Sequence, residues 1–333
     1  MKSWIINNMP SQLITDDIPA KFVFLTGLPR AGKTFFSDYF YATKTDSNVI
    51  IDDTLDSLIC LFKFNKIDRE TFLYLFEYGL KKLSYEYSIG RRVNMRPNDQ
   101  SSLFNSNSLP TIVENLGKSD AVCETEFIQD NSGLKYQVLA HSALAIAPDL
   151  VEKFPDAKII NIFSDPYSLA LSWVESGYGS LEIYQKTRLA LPLISHKGIK
   201  LPIYCINWEN EFIQMSEVER VIGMICILFQ QDQDGYKSLP KRFKNNLQLL
   251  SYQNILENFE NLDSKRLDLA EITMRKAKYY QNSNDIKNRL LISKDINNKK
   301  KCFKKNLDTS LKIKLDGCLE IYKVWKTNEL QLL

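Results

Sequence analysis

The stretch FVFLTGLPRAGKTFF, residues 22–36, constrains the fold more than any other part of the chain. Phe22 to Leu25 is an apolar run that reads as a buried strand, Gly27 and Gly32 bracket a tight turn, and a helical pattern begins at Lys33. A strand, a glycine loop and a helix in that order aim successive backbone N–H groups and the positive end of a helix at one point. That is a cradle for an oxyanion. Gly27, Gly32, Lys33 and Thr34 also complete the spacing G-x-x-x-x-G-K-[ST], whose lysine and hydroxyl serve nucleoside triphosphates and their Mg²⁺.

Beyond this loop, strand and helix signals alternate, which predicts an α/β fold with a central, mostly parallel sheet flanked by helices. NVII, ending at Asp52 and Asp53, reads as a second strand. Helices follow over Leu55–Phe64 and Arg69–Tyr87. AVCETEFI (residues 121–128) reads as a strand, LKYQVLAHSALAIAPDLVEKF (134–154) as a helix, and AKIINIF (157–163) as a central strand. SDPYSLALSWVES then opens another helix, and LPIYCINWENEF and MSEVERVIGMICILFQ read as helical packing. The strands at 22–25, 49–51 and 158–163 are expected side by side. Ligands of such sheets gather at the carboxyl ends of the strands. The glycine loop, the Asp52–Asp53 tip and Ser164–Asp165 are therefore expected along one edge.

Composition narrows the class. With 333 residues, 44% of them hydrophobic, the chain can bury a sizeable core. No run approaches the roughly 18 apolar residues of a membrane span, and MKSWIINNMPSQ lacks the layout of a secretory leader, so no membrane span and a cytoplasmic location are expected. Six cysteines are scattered without CxxC pairs and read as reduced, mostly buried thiols. The net charge of +3 hides a basic C-terminal segment, 286–333, in which twelve lysines or arginines stand against five acids. No RNA- or DNA-binding motif accompanies it, so solvated surface is the expectation rather than a nucleic-acid site. The sequence sets no oligomeric state.

FPDAKIINIFSDPYSLALSW, Phe154 to Trp173, resembles the second signature of the sulfotransferase family, a strand ending in Arg-Asp/Asn-Pro and a helix with a Ser six residues beyond the Pro. Asp165, Pro166 and Ser172 match it. Pro29, Arg30, Gly32 and Thr34 fit the family's first signature, Pro-Arg/Lys-Ser-Gly-Thr-Thr, and LLSYQNILENFE (249–260) is similar to its Tyr-Glu-Asp-Leu segment. The resemblance implies a three-layer P-loop fold over residues 1–285, with 88–120 and 174–245 as insertions and 286–333 packed on or extending the same domain. It implies 3′-phosphoadenosine 5′-phosphosulfate as sulfuryl donor, no metal, and a carbohydrate or other small molecule as the hydroxyl or amine acceptor. Gly27, Pro29, Arg30, Ala31, Gly32, Lys33, Thr34 and Phe35 would then grip the 5′-phosphosulfate, and Ser172 with its helix the 3′-phosphate. Two positions depart from the family pattern. Ser164 stands where the family has Arg, and Lys197, Lys200 and the basic C-terminal segment are the cations on hand to replace that charge. Lys33 stands where the family has Thr, which keeps a small-molecule kinase using ATP and Mg²⁺ as the alternative, beside a non-catalytic nucleotide-binding protein.

Transfer needs charge stabilisation and a base. Arg30 and Lys33, the latter read as an exposed loop lysine, are placed to neutralise the transferring group. Asp52 and Asp53 are candidate bases, one on each face of the strand, with helix capping as the competing role. His141, on a helix predicted to be apolar, is the rival base and an acceptor-site residue. Arg91, Arg92 and Arg96, in GRRVNMR, suit an anionic or hydroxyl-rich acceptor.

Overall fold

The computed structural model describes residues 21–33, 40–42, 49–97, 102–105, 109–129, 135–186, 191–257, 266–267, 272–274 and 283–329. Its centre is a sheet of five parallel strands, β1 (Lys21–Thr26), β2 (Val49–Ile51), β3 (Lys135–Leu139), β4 (Lys158–Phe163) and β5 (Leu247–Ser251), in the spatial order β2-β3-β1-β4-β5. The expected strands at 22–25, 49–51 and 158–163 all lie in it. Phe24, Leu25, Ile159, Ile160 and Ile162 are fully buried, as strands covered by helices on both faces must be. An antiparallel hairpin joins Leu193–His196 to Ile199–Pro202, and Phe40–Ala42, Ile272–Met274 and Arg266–Leu267 form a further small sheet.

The helices that matter for the site are α1 (Asp53–Lys63), α2 (Arg69–Ser88), α3 (Leu109–Leu116), α4 (Asp120–Gln129), α5 (Pro166–Glu175), α6 (Glu217–Ser238), α7 (Ser283–Asn306) and α8 (Thr309–Thr327). Their ends follow ordinary capping chemistry. Asp68, Asp165 and Asp308 accept from the first-turn N–H groups of α2, α5 and α8, and Ser216 with Glu219 closes a capping box on α6.

Three expected elements are corrected. AVCETEFI is not a strand but lies in α4, where Val122 is exposed; a central strand would have buried it together with the acids beside it. The 134–154 segment is not one helix. Lys135–Leu139 forms β3, between β1 and β2, and a short helix over Ala147–Lys153 comes only after Ser142, whose φ of 52° breaks the run. LPIYCINWENEF begins as a strand, and its helix starts only at Glu209.

The strand order opens the crevice. From β1 the chain runs toward β2 on one side of the sheet, and from β4 it runs toward β5 on the other. The two exits part between neighbouring strands, which is where ligands of open α/β sheets bind.

Candidate functional site

The glycine loop leaves β1 at this crevice, and its shape is dictated by contacts that only glycine allows. At Gly27 (φ 142°) a Cβ would sit 2.0 Å from the carbonyl oxygen of Ile162 on β4. At Gly32 (φ 99°) it would meet the Tyr252 ring at 2.2 Å. Arg30 between them is also left-handed, at φ 67°. Left-handed residues among right-handed ones turn successive N–H groups to one side, as an anion nest requires.

Two contacts tie this loop to α5, 142 and 144 residues away along the chain. Arg30 Nε donates to Ser172 Oγ at 3.3 Å, and the Trp173 indole N–H donates to the Pro29 carbonyl at 2.9 Å. Ser164 Oγ donates to the Ala31 carbonyl at 3.2 Å. The structure thus brings Pro29, Arg30, Ala31, Ser164 and Ser172 together, with the Arg30 side chain exposed and Trp173 buried as core. Thr34 and Phe35 lie outside the described residues. The basic helix α7 runs past the same helix. Lys300 lies 3.6 Å from Asp165, Lys299 lies 3.8 Å from Glu175, and Lys304 stands over the Tyr167 ring. Lys197 instead donates to Asn210, and Lys200 is exposed in the hairpin.

Lys33 is not the exposed loop residue expected. It is 3% exposed, and its ammonium reaches under the loop to the carbonyls of Gly27 and Leu28, at 2.8 Å each. Burial pulls its pKa down to about 7 against the opposing charges of Asp56 and Asp232. Asp232, on α6, is buried too. Desolvation raises its carboxyl to about 6 against the pull of Lys63 and Lys33 and a hydrogen bond from the Ala145 N–H. A cavity of about 10 Å³, room for one water, lies behind the loop among Asn161, Ser164 and Asp232. A nucleotide cannot enter a space of that size.

Of the two strand-end acids, Asp52 is committed to structure. Its Oδ1 caps α1 by accepting from the N–H groups of Thr54 and Leu55, and its Oδ2 is 2.5 Å from the Arg92 guanidinium. Asp53 is the first residue of α1 and is exposed. The neighbouring arginines divide: Arg91 pairs with Asp120, Arg92 with Asp52, and Arg96 is exposed with its backbone N–H on Asn94.

His141 is placed best among the candidate bases. It sits just past β3, flanked by Ala140, whose N–H donates to Leu25, and Ser142, whose N–H donates to the Gly27 carbonyl. Its ring is held by Asp56 of α1, with Nδ1 2.5 Å from Oδ2, and its backbone N–H donates to Asp56 Oδ1 at 2.7 Å. Burial pushes the Asp56 carboxyl up, but the contacts with His141 outweigh it and leave the pKa below its ordinary value. The carboxylate thus stays ionised and holds a proton on Nδ1, leaving Nε2 as the acceptor on the half-buried ring.

Sequence reasoning missed Asp56, Asp232 and Tyr252. The first two had a legible signal. Asp56 shares the buried stripe of Leu55, Ile59 and Cys60, and Asp232 that of Leu228, Phe229 and Gly235; an acid on an apolar helix face needs a partner. Tyr252 lies in the segment likened to Tyr-Glu-Asp-Leu, but nothing local signalled its contact with a glycine far away in sequence.

No family model and no curated protein matches the sequence. Solved structures similar to this chain include a sulfotransferase domain from the curacin biosynthetic pathway, at 10% identity and a TM-score of 0.40 over 79% of each chain. Another is the sulfotransferase domain of the Synechococcus PCC 7002 olefin synthase, at 9% identity and a TM-score of 0.40 over 91% of this chain and 94% of that one. At that TM-score the likeness is loose, and the reading of the site rests on its own residues.

Proposed function

We propose that the chain is a sulfotransferase that moves a sulfuryl group from 3′-phosphoadenosine 5′-phosphosulfate to a hydroxyl or amine of a small acceptor such as a carbohydrate. The observation that carries this reading is the joining of the two signature segments, Arg30 to Ser172 and Pro29 to Trp173, into one rim around the glycine loop. The glycine loop and Arg30 face the 5′-phosphosulfate in this reading. Ser164, Ser172 and Lys300 face the 3′-phosphate, Lys300 standing 3.6 Å from Asp165 and supplying the cation that Ser164 lacks. His141, oriented by Asp56, takes the acceptor proton at Nε2 while the new O–S or N–S bond forms and the bridging S–O bond to the phosphate breaks. Arg30 offsets charge on the group in flight. Arg91 and Arg96, both exposed, are assigned to the acceptor in this reading.

The test is calorimetry of the purified chain against 3′-phosphoadenosine 5′-phosphate and, separately, ATP with Mg²⁺. Binding of the first at micromolar affinity, reduced by Lys300→Ala, is expected, and chelator is expected to leave sulfuryl transfer unchanged. Binding of ATP with Mg²⁺ alone would replace this reading by that of a kinase.

A further inference from the structure

Away from the crevice, two thiols face each other across helices that meet late in the chain. Cys226, on α6, is half-buried, and Cys318, on α8, is buried; their Sγ atoms are 3.4 Å apart although 92 residues separate them. We propose that Cys226 and Cys318 are a reversible disulfide pair that clamps α8 onto α6 when the protein meets a peroxide.

Three observations carry this. The sulfurs are already in contact, so closing to the roughly 2.05 Å of a disulfide needs a movement within side-chain reach. The pair differs in exposure: Cys226 has solvent access and accepts a hydrogen bond from the buried Cys318 thiol, a contact that favours the thiolate at Cys226 and leaves Cys318 to resolve. The helices around the pair are held by a well-packed interface, since Trp325 of α8 stacks on Phe229 of α6 at 5.5 Å and donates to Gln233 at 2.7 Å. The two helices are thus held together with the sulfurs in contact.

The chemistry balances with hydrogen peroxide as oxidant. The Cys226 thiolate attacks one peroxide oxygen, the O–O bond breaks, and Cys226 becomes a sulfenic acid with release of hydroxide, which takes up a proton to leave as water. Cys318 then attacks the Cys226 sulfur, forming the S–S bond and expelling a second water. A small thiol reverses it by exchange.

The bond would act on the glycine loop at one remove. Just past α8, Glu329 accepts from the Ser251 N–H at 2.5 Å and from the Asn254 side chain at 2.6 Å, on either side of the Tyr252 whose ring covers Gly32. Fixing α8 therefore fixes what rests on the loop.

The full chain is treated with hydrogen peroxide under native conditions, alkylated, digested and mapped by mass spectrometry, with the exposed Cys302 replaced by Ser to remove cross-linking between molecules. A peptide joining Cys226 to Cys318 is expected, absent from Cys226→Ser and Cys318→Ser. The oxidised protein should melt roughly 5 °C or more higher than the reduced one, returning on reduction, as closing a long loop predicts. Stepwise oxidation of Cys226 to the sulfinic acid with no linked peptide would overturn the proposal. So would a linked peptide formed only in denaturant.

Discussion

At the scale of single residues, the pairing of His141 with Asp56 decides most. A carboxylate on Nδ1 fixes the tautomer, and an amide there would present an N–H donor to the same nitrogen and turn the ring's proton to Nε2, the atom that takes the acceptor proton in the proposed mechanism. Asp56→Asn is therefore expected to lower kcat by roughly 10²-fold or more with donor affinity unchanged, as read by steady-state rates beside calorimetry. An equal loss in donor affinity would assign Asp56 to structure alone. Asp232 makes a second prediction, on stability. Its folded pKa, about 6, lies above its ordinary value of 3.8, so between these values the folded state holds a proton that the unfolded state has released. Its contribution is full below pH 4 and is lost as pH rises through 6. Urea midpoints measured from pH 4 to 7 should fall for the wild type relative to Asp232→Asn, by up to about 3 kcal/mol in stability. Parallel curves would refute it. Asp56, whose pKa is lowered, works in the opposite sense, holding stability above pH 4 that is lost as pH falls further. Lys33 shows what the sequence concealed. Its spacing identified the loop, but nothing local told that its ammonium would turn back onto the Gly27 and Leu28 carbonyls.

At the scale of elements, β1, its glycine loop, β4 and α5 were legible because each is a local pattern: a continuous apolar run, a glycine pair, a Pro after an Asp cap. β3 was not. Its five residues run without a turn residue into an apolar stretch of helical period, and the break between them is a left-handed serine rather than a glycine. The register that places it beside β1, Phe22 against Tyr136 and Leu25 against Leu139, is a tertiary fact. Loop and sheet are one unit, which Gly27 tests. Gly27→Ala forces a Cβ against the Ile162 carbonyl at a φ that side chains avoid, so a loss of about 2 kcal/mol or more is expected in chemical denaturation. An unperturbed midpoint would mean that the loop parts from β4 without cost. Gly198, whose Cβ would meet nothing, is the control, since Gly198→Ala should show only the strain of its φ of 80°.

At the scale of the molecule, the question is whether the last fifty residues belong to the fold. Read as charge, 286–333 is a basic tail, and that reading hid its other half. Leu311, Leu315, Cys318, Tyr322 and Trp325 recur at three- and four-residue steps, the period of one buried helix face, and all five are buried in α8. Trp325 is the largest of them. It is 1% exposed, meets the ring of Phe163 at the end of β4 edge-on, stacks on Phe229, and lines the cavity behind the glycine loop. The lysines lie on other faces, among them Lys314 and Lys326, both exposed. If α8 unfolds together with the central sheet, removing the indole costs the protein the transfer energy of the ring, its hydrogen bond to Gln233 and a cavity that the rigid β4 cannot fill. Trp325→Ala should then lower stability by about 3–5 kcal/mol in one cooperative transition, followed by far-UV circular dichroism and by the fluorescence of the remaining tryptophans. Two separate transitions, with the sheet's own midpoint unmoved, would instead make α8 an appendage, and the path from Glu329 through Tyr252 to the glycine loop would lose its mechanical basis.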